Sequence, residues 1–76
     1  MPHIVVKMFP GHTPDRKAAL AEALSKAMMA TLGVPESAIS VAVEDVEKAD
    51  WMAKVAKPEI AGKPATIFKK PGYEIP

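Results

Sequence analysis

The chain has 76 residues, of which 49% are hydrophobic, and ten basic against nine acidic side chains leave a formal net charge of +1. A chain this short is expected to form one domain, 1–76, and to bury only about 60% of the surface that its unfolded form exposes. A balance this close to zero, with no basic run longer than Lys69-Lys70, excludes any electrostatic argument for nucleic-acid or membrane-surface binding.

Composition also predicts a small hydrophobic core that needs a further source of stability. Thirteen residues are alanine, which buries little area, and no cysteine is present to form a disulfide. The two histidines lack acidic or thiol neighbours at metal-ligand spacing, so neither a metal site nor a cofactor is expected. Association of identical chains is the remaining source of stability, and we expect a homo-oligomer. No N-terminal segment resembles a signal peptide, which predicts a cytoplasmic location by default.

The first predicted element is a strand over residues 3–9, where side chains alternate between two faces. A proline-glycine pair ends this strand, and a long helix follows it. Thr13 is a hydroxyl cap, Pro14 suits the first helical position, and apolar residues recur at helical spacing as far as Leu32. The glycine directly after Leu32 is the predicted stop.

A second strand is predicted over residues 39–44, where alternation returns after a proline-containing turn. A helix of about 19 residues between two strands suits a right-handed crossover, so the strands should lie parallel with the helix across one face. The other face would carry apolar side chains that a second subunit can cover. These side chains are Val5, Phe9 and Ala42.

The C-terminal part is predicted to hold a short second helix and a short strand. Asp50 can cap a helix over residues 51–57, which Pro58 interrupts or follows with a further turn. Residues 65–69 have the pattern of a short strand. The predicted fold class is therefore α/β, of the α+β type. It consists of a β-α-β unit with two parallel strands, one long helix, a short second helix and a short C-terminal strand, completed by oligomerisation.

The dipeptide Met1-Pro2 carries the main chemical prediction. A protein with proline second normally loses its methionine, and Pro2 would then present a free secondary amine at the N-terminus. An α-amino group has a pKa of roughly 7.7 to 8.0, so a small downward shift makes it a base at neutral pH. A retained Met1 would turn this nitrogen into an amide, which is no base. His3 comes next in the chain, where it could orient the amine or face a neighbouring subunit.

These features together resemble the tautomerase superfamily and its 4-oxalocrotonate tautomerase group. The resemblance rests on the N-terminal proline before a strand, Pro10-Gly11, the capped helix, a turn at Pro35 and the second strand. The runs Pro2-His3-Ile4 and Lys69-Lys70-Pro71-Gly72-Tyr73 are most similar to those of the PptA-type small tautomerases of that group. The resemblance implies a tautomerase-like β-α-β fold whose subunits form dimers or hexamers, and we expect a dimer here.

The resemblance also implies roles for individual residues. Pro2 takes the place of the catalytic general base, and Trp51 that of an aromatic residue that closes the pocket. His12 and Ser40 stand where two substrate-binding arginines grip dicarboxylates, and Arg16 could substitute for one of them. Without those arginines a dicarboxylate substrate loses its bidentate contacts. The predicted activity is keto-enol proton transfer on a small 2-oxo or 2-hydroxy-enoic acid, such as an aromatic phenylpyruvate that stacks on Trp51.

Other interpretations remain open. Trp51 is as well explained as an interface or core residue, His12 as a solvated surface side chain, and Ser40 by strand spacing alone. The chain could be a non-catalytic oligomeric interaction module of the same fold. Alternatively, the Pro2 amine could attack a carbonyl carbon and form an iminium, which would make the protein a lyase or a carbon-carbon bond-forming enzyme.

Overall fold

The computed structural model describes all residues 1–76, which divide into two compact units. The first unit covers Met1–Asp45 and the second Val46–Pro76. The first contains strand β1 at His3–Met8, helix α1 at Pro14–Leu32, a 3-10 turn at Glu36–Ala38 and strand β2 at Ser40–Asp45. The second contains a 3-10 turn at Lys48–Asp50, helix α2 at Met52–Ala61 and a 3-10 turn at Pro64–Thr66. One domain over 1–76 stays a prediction.

The two strands pair in parallel, as predicted. Their register runs from His3 opposite Ser40 to Met8 opposite Asp45, and α1 packs against β2. Alternate residues of each strand therefore face α1 or face away from it. Val6, opposite Val43, is half-buried, whereas Val5 on the other side is 46% exposed. The predicted two-strand crossover is confirmed, and one face of the sheet lies open within this unit.

Local side-chain chemistry sets both ends of α1. The Arg16 N–H donates to Thr13 Oγ1 at 3.2 Å, which satisfies one of the donors left free in a first helical turn. At the other end Gly33 adopts a left-handed conformation with φ of 69° and donates to the Met29 carbonyl at 2.9 Å. Both predicted helix boundaries are confirmed.

Helix α2 is a π-helix and passes through Pro58. The prediction that Pro58 interrupts the helix or starts a further turn was wrong: one helix continues to Ala61 because the wider turn accommodates the proline. Proline has no N–H, and in an α-helix its ring would clash with the carbonyl four residues earlier, that of Lys54. Gly62 closes the helix by donating to the Lys57 carbonyl at 2.8 Å, a bond that spans five residues.

The predicted C-terminal strand over 65–69 is also wrong. Residues Pro64–Thr66 form a 3-10 turn, in which the N–H and Oγ1 of Thr66 both donate to the Lys63 carbonyl. A strand needs a neighbour for its backbone groups, and the second unit holds no other strand. Phe68, inside the predicted strand, is consequently 97% exposed.

The core is as thin as the composition predicts. The only buried residues are Val55 and Ala56, at 6% and 0% exposure, and both lie on α2. Several large apolar side chains are exposed instead: Val5, Phe9, Leu32, Met52, Phe68 and Tyr73. None of the helices is both long enough and apolar enough to cross a membrane.

Candidate active site

Pro2 lies at the open end of the parallel strand pair. It is half-buried and directly precedes β1, and its carbonyl oxygen accepts a hydrogen bond from the Ser40 N–H at 3.2 Å. Parallel pairing places the first residue of β2 beside the start of β1, which brings Ser40 next to Pro2. The Met1 side chain is fully exposed, so the fold does not depend on packing around it.

A second contact at this end joins two side chains. His3 Nδ1 lies 2.7 Å from Ser40 Oγ, within the range of a short hydrogen bond. The two residues are register partners, and they point away from α1 because they alternate with the helix-facing Ile4 and Val41. Both side chains are exposed. The sequence predicted neither this contact nor the register that produces it.

His12 lies at the opposite end of β1. It lines a cavity of about 190 Å³ together with Met8, the last residue of that strand. At roughly 3.3 Å per residue, the strand separates the two ends by about 17 Å. One small substrate cannot touch Pro2 and His12 of the same chain across that distance. The structure therefore does not bring these two predicted site residues together within one subunit.

The His12 cavity is cationic at its rim. Its remaining lining residues are Arg16, Lys17 and Leu20. The Lys17 ammonium pairs with the Asp45 carboxylate at 2.9 Å, a bond that joins the first turns of α1 to the end of β2. The Arg16 side chain is exposed and forms no ion pair with an acidic residue.

Trp51 belongs to the second unit. It is half-buried between the 3-10 turn Lys48–Asp50 and α2, and its indole Nε1–H donates to the Tyr73 hydroxyl at 3.0 Å. This bond ties the C-terminal tail to the start of α2 within the same chain. The end of α2 and the tail also line an open apolar cavity of about 260 Å³, which sequence reasoning missed. Its lining is Ile60, Ala61, Pro64, Ile67, Lys70, Pro71, Tyr73 and Ile75.

No group of three histidine, aspartate or glutamate side chains lies close enough together to hold a metal ion. The functional groups beside Pro2 are the imidazole of His3 and the hydroxyl of Ser40. The Ser40 N–H fixes the backbone there by its bond to the Pro2 carbonyl. The imidazole and the hydroxyl are proton-transfer and hydrogen-bonding groups.

A parallel strand pair crossed by one long helix, with a proline before the first strand, is the β-α-β fold that the sequence resemblance implies. The family model described as "Tautomerase enzyme" matches residues 2–59. The chain therefore belongs to the tautomerase family of enzymes. Within it the chain is of the PptA type of the 4-oxalocrotonate tautomerase group, which confirms the resemblance.

Individual relatives are similar in sequence to this protein over nearly the whole chain. A probable tautomerase of Xylella fastidiosa is 47% identical over 73 residues, covering 96% of this chain and 89% of the relative. Tautomerase PptA of Cronobacter sakazakii is 41% identical over 76 residues, covering 99% of this chain and all of the relative. Among solved structures, TomN, a 4-oxalocrotonate tautomerase homologue in the tomaymycin biosynthetic pathway, has a TM-score of 0.63 and 37% identity. That similarity covers 86% of this chain and 97% of TomN.

Proposed function

We propose that the protein interconverts the enol and keto forms of a small 2-oxo acid, with Pro2 as general base once Met1 is removed. The observation that carries this proposal is the position of Pro2. It stands half-buried before β1, its carbonyl held by Ser40, and the family match begins at this same residue. The exposed Met1 is accessible for removal.

The reaction moves a proton within one substrate molecule and needs no co-reactant. The neutral Pro2 nitrogen takes the proton from the enol hydroxyl, and the oxygen keeps the electron pair as an enolate. The protonated amine then gives its proton to the carbon next to the one that bears this oxygen. The product is the ketone. Two things are required: an unprotonated amine and hydrogen-bond donors for the enolate oxygen. Ser40, whose backbone N–H donates to the Pro2 carbonyl, also carries a hydroxyl and is the proposed substrate-binding donor.

His12 and Trp51 take further proposed roles in binding. Because β1 separates His12 from Pro2 of its own chain, His12 reaches a substrate at Pro2 only when a neighbouring subunit presents it. The proposed assembly is therefore a homo-oligomer, a dimer rather than a hexamer. Trp51 is the proposed aromatic wall on which a substrate such as the enol of phenylpyruvate stacks. The absence of arginine at 12 and 40 favours a monoacid over a dicarboxylate.

The test has two parts, the state of the N-terminus and the loss of activity when Pro2 changes. The intact mass of the purified protein should show that one methionine is missing. Ultraviolet absorbance then follows the conversion of phenylpyruvate enol, with the enol of a dicarboxylate, 2-hydroxymuconate, as contrast. Pro2→Ala should lower conversion by at least about a hundredfold, the low end of what one acid-base group supplies. Pro76→Ala, at the exposed C-terminus, is the matched control and should convert normally.

A version with an uncleavable N-terminal extension sharpens the test, because Pro2 keeps its ring but its nitrogen becomes an amide. It should be as inactive as Pro2→Ala. Unchanged conversion by the extended version would refute the role of the amine. Failure of the processed wild-type protein to convert either enol faster than buffer alone would favour the non-catalytic module. A stable adduct on Pro2 after borohydride treatment during turnover would instead favour an iminium mechanism.

A further inference from the structure

His3 and Ser40 meet on the open face of the sheet at the first position of the parallel pair. Their side chains lie 2.7 Å apart, Nδ1 to Oγ, and the Ser40 N–H holds the Pro2 carbonyl at 3.2 Å. Two contacts, both made by Ser40, therefore connect the imidazole of His3 to the residue that carries the proposed base. The His3 and Ser40 side chains are both exposed, at the same end of the strand pair as Pro2.

The direction of this hydrogen bond decides what Ser40 can do. A serine hydroxyl has one hydrogen to donate, whereas each imidazole nitrogen either donates or accepts. When Nδ1 carries a hydrogen, it donates to Ser40 Oγ, and the hydroxyl hydrogen stays available for a substrate oxygen. When Nδ1 is bare, the hydroxyl donates to His3 and has nothing left for the substrate. Only the first arrangement makes Ser40 a donor to an enolate.

We propose that His3 is a positioning residue whose Nδ1–H donates to Ser40 Oγ and directs the Ser40 hydroxyl hydrogen to the enolate oxygen formed at Pro2. This inference rests on the proposed function. Pro2 receives and returns the transferred proton, the enolate oxygen holds the electron pair, and Ser40 stabilises that charge by hydrogen bonding. His3 neither gains nor loses a proton during the cycle. The hydrogen bond from His3 stops the Ser40 hydroxyl from rotating and donating its hydrogen to other acceptors, including water.

The expected effect is smaller than that of removing the base. Loss of one fixed donor to an oxyanion typically costs about 100- to 1000-fold in kcat. Ser40 and His3 are exposed to water in the single chain, which weakens each hydrogen bond. We therefore expect a loss of about 10- to 100-fold in kcat.

Steady-state kinetics of phenylpyruvate enol conversion tests the arrangement. Ser40→Ala and His3→Leu should each lower kcat by about 10- to 100-fold and change KM by less than about threefold, because the contact forms with the enolate and not with the bound enol. The double variant should be no slower than the slower single one, since both remove the same interaction. His3→Asn should restore kcat to within about threefold of wild type, because its side-chain amide can donate from the place of Nδ1. Ser37→Ala, in the 3-10 turn before β2, is the matched serine control and should be unchanged.

Three results would overturn the inference: additive losses in the double variant, an effect confined to KM, or a His3→Asn variant as slow as His3→Leu. Circular dichroism and elution volume must match wild type for each variant. Ser40→Cys, which keeps the size of the side chain but donates poorly, replaces Ser40→Ala if that variant does not fold, and it should be similarly slow. Normal activity in the N-terminally extended version would refute the proposed function. An inactive extended version beside a fully active Ser40→Ala would refute this inference and the donor role of Ser40, and would leave Pro2 as the proposed base.

Discussion

Gly62 at the end of α2 offers the sharpest test of the second unit. A Cβ atom added there would lie 2.6 Å from the Pro58 carbonyl oxygen and 2.9 Å from that of Lys57. Both partners are backbone atoms, so no side chain can rotate to make room. Lys57 also accepts the hydrogen bond from Gly62 that closes the π-helix. Gly62→Ala must therefore shift the backbone at the end of α2, where the Gly62 N–H is hydrogen-bonded to the Lys57 carbonyl.

The cost has two parts. Moving atoms to relieve overpacking costs about 1 to 3 kcal/mol, and losing or stretching one backbone hydrogen bond costs about 1 kcal/mol. We expect Gly62→Ala to lower the free energy of unfolding by about 2 to 4 kcal/mol. For a chain of this size the melting temperature should fall by about 10 to 30 °C.

Gly72 provides the matched control, because a Cβ atom there meets nothing within 4 Å. Urea denaturation at one fixed protein concentration measures the free energy of unfolding of both variants. The fluorescence of the single tryptophan, Trp51, reports on the second unit, in which both glycines lie. Gly72→Ala should stay within about 0.5 kcal/mol of wild type. If Gly62→Ala were equally harmless, the described geometry at the end of α2 would be refuted.

Two further predictions concern the open sheet face and the tail. Val5→Asp, on the face away from α1, should shift sedimentation velocity toward the monomer, because a charge would be buried in the proposed subunit interface; an unchanged sedimentation coefficient would place the interface elsewhere. Tyr73→Phe removes the acceptor of the Trp51 N–H, so it should change the Trp51 emission and speed hydrogen exchange in the tail while costing at most about 1 kcal/mol. Identical emission and exchange would contradict the tie between tail and helix.

The first unit was predictable from sequence because its signals are local. Thr13 and Gly33 each act within one helical turn, and strand alternation needs only neighbouring residues. The parallel order then brings the start of β2 to the end of the sheet where Pro2 lies. The contact between Ser40 and His3 needs the register as well, which depends on the conformation of the turn before β2.

The second unit was harder because its structure depends on what lies across from each segment. Pro58 normally ends a helix, yet a wider helical turn removes the clash that makes it a breaker. Residues 65–69 alternate like a strand but have no strand to pair with. His12 was assigned by resemblance, and resemblance does not say which subunit supplies a residue.

The hydrogen bond between the Ser40 N–H and the Pro2 carbonyl has a consequence for the end of the chain. Terminal residues normally fray, and each ordered residue loses about 1 to 2 kcal/mol of backbone entropy. In Pro2 the pyrrolidine ring already locks the bond between nitrogen and Cα, and the bond to Ser40 restricts the next torsion along the chain. No freely rotating bond is left between the proposed base and the sheet. The nitrogen therefore keeps its orientation before a substrate arrives, and binding does not have to order it.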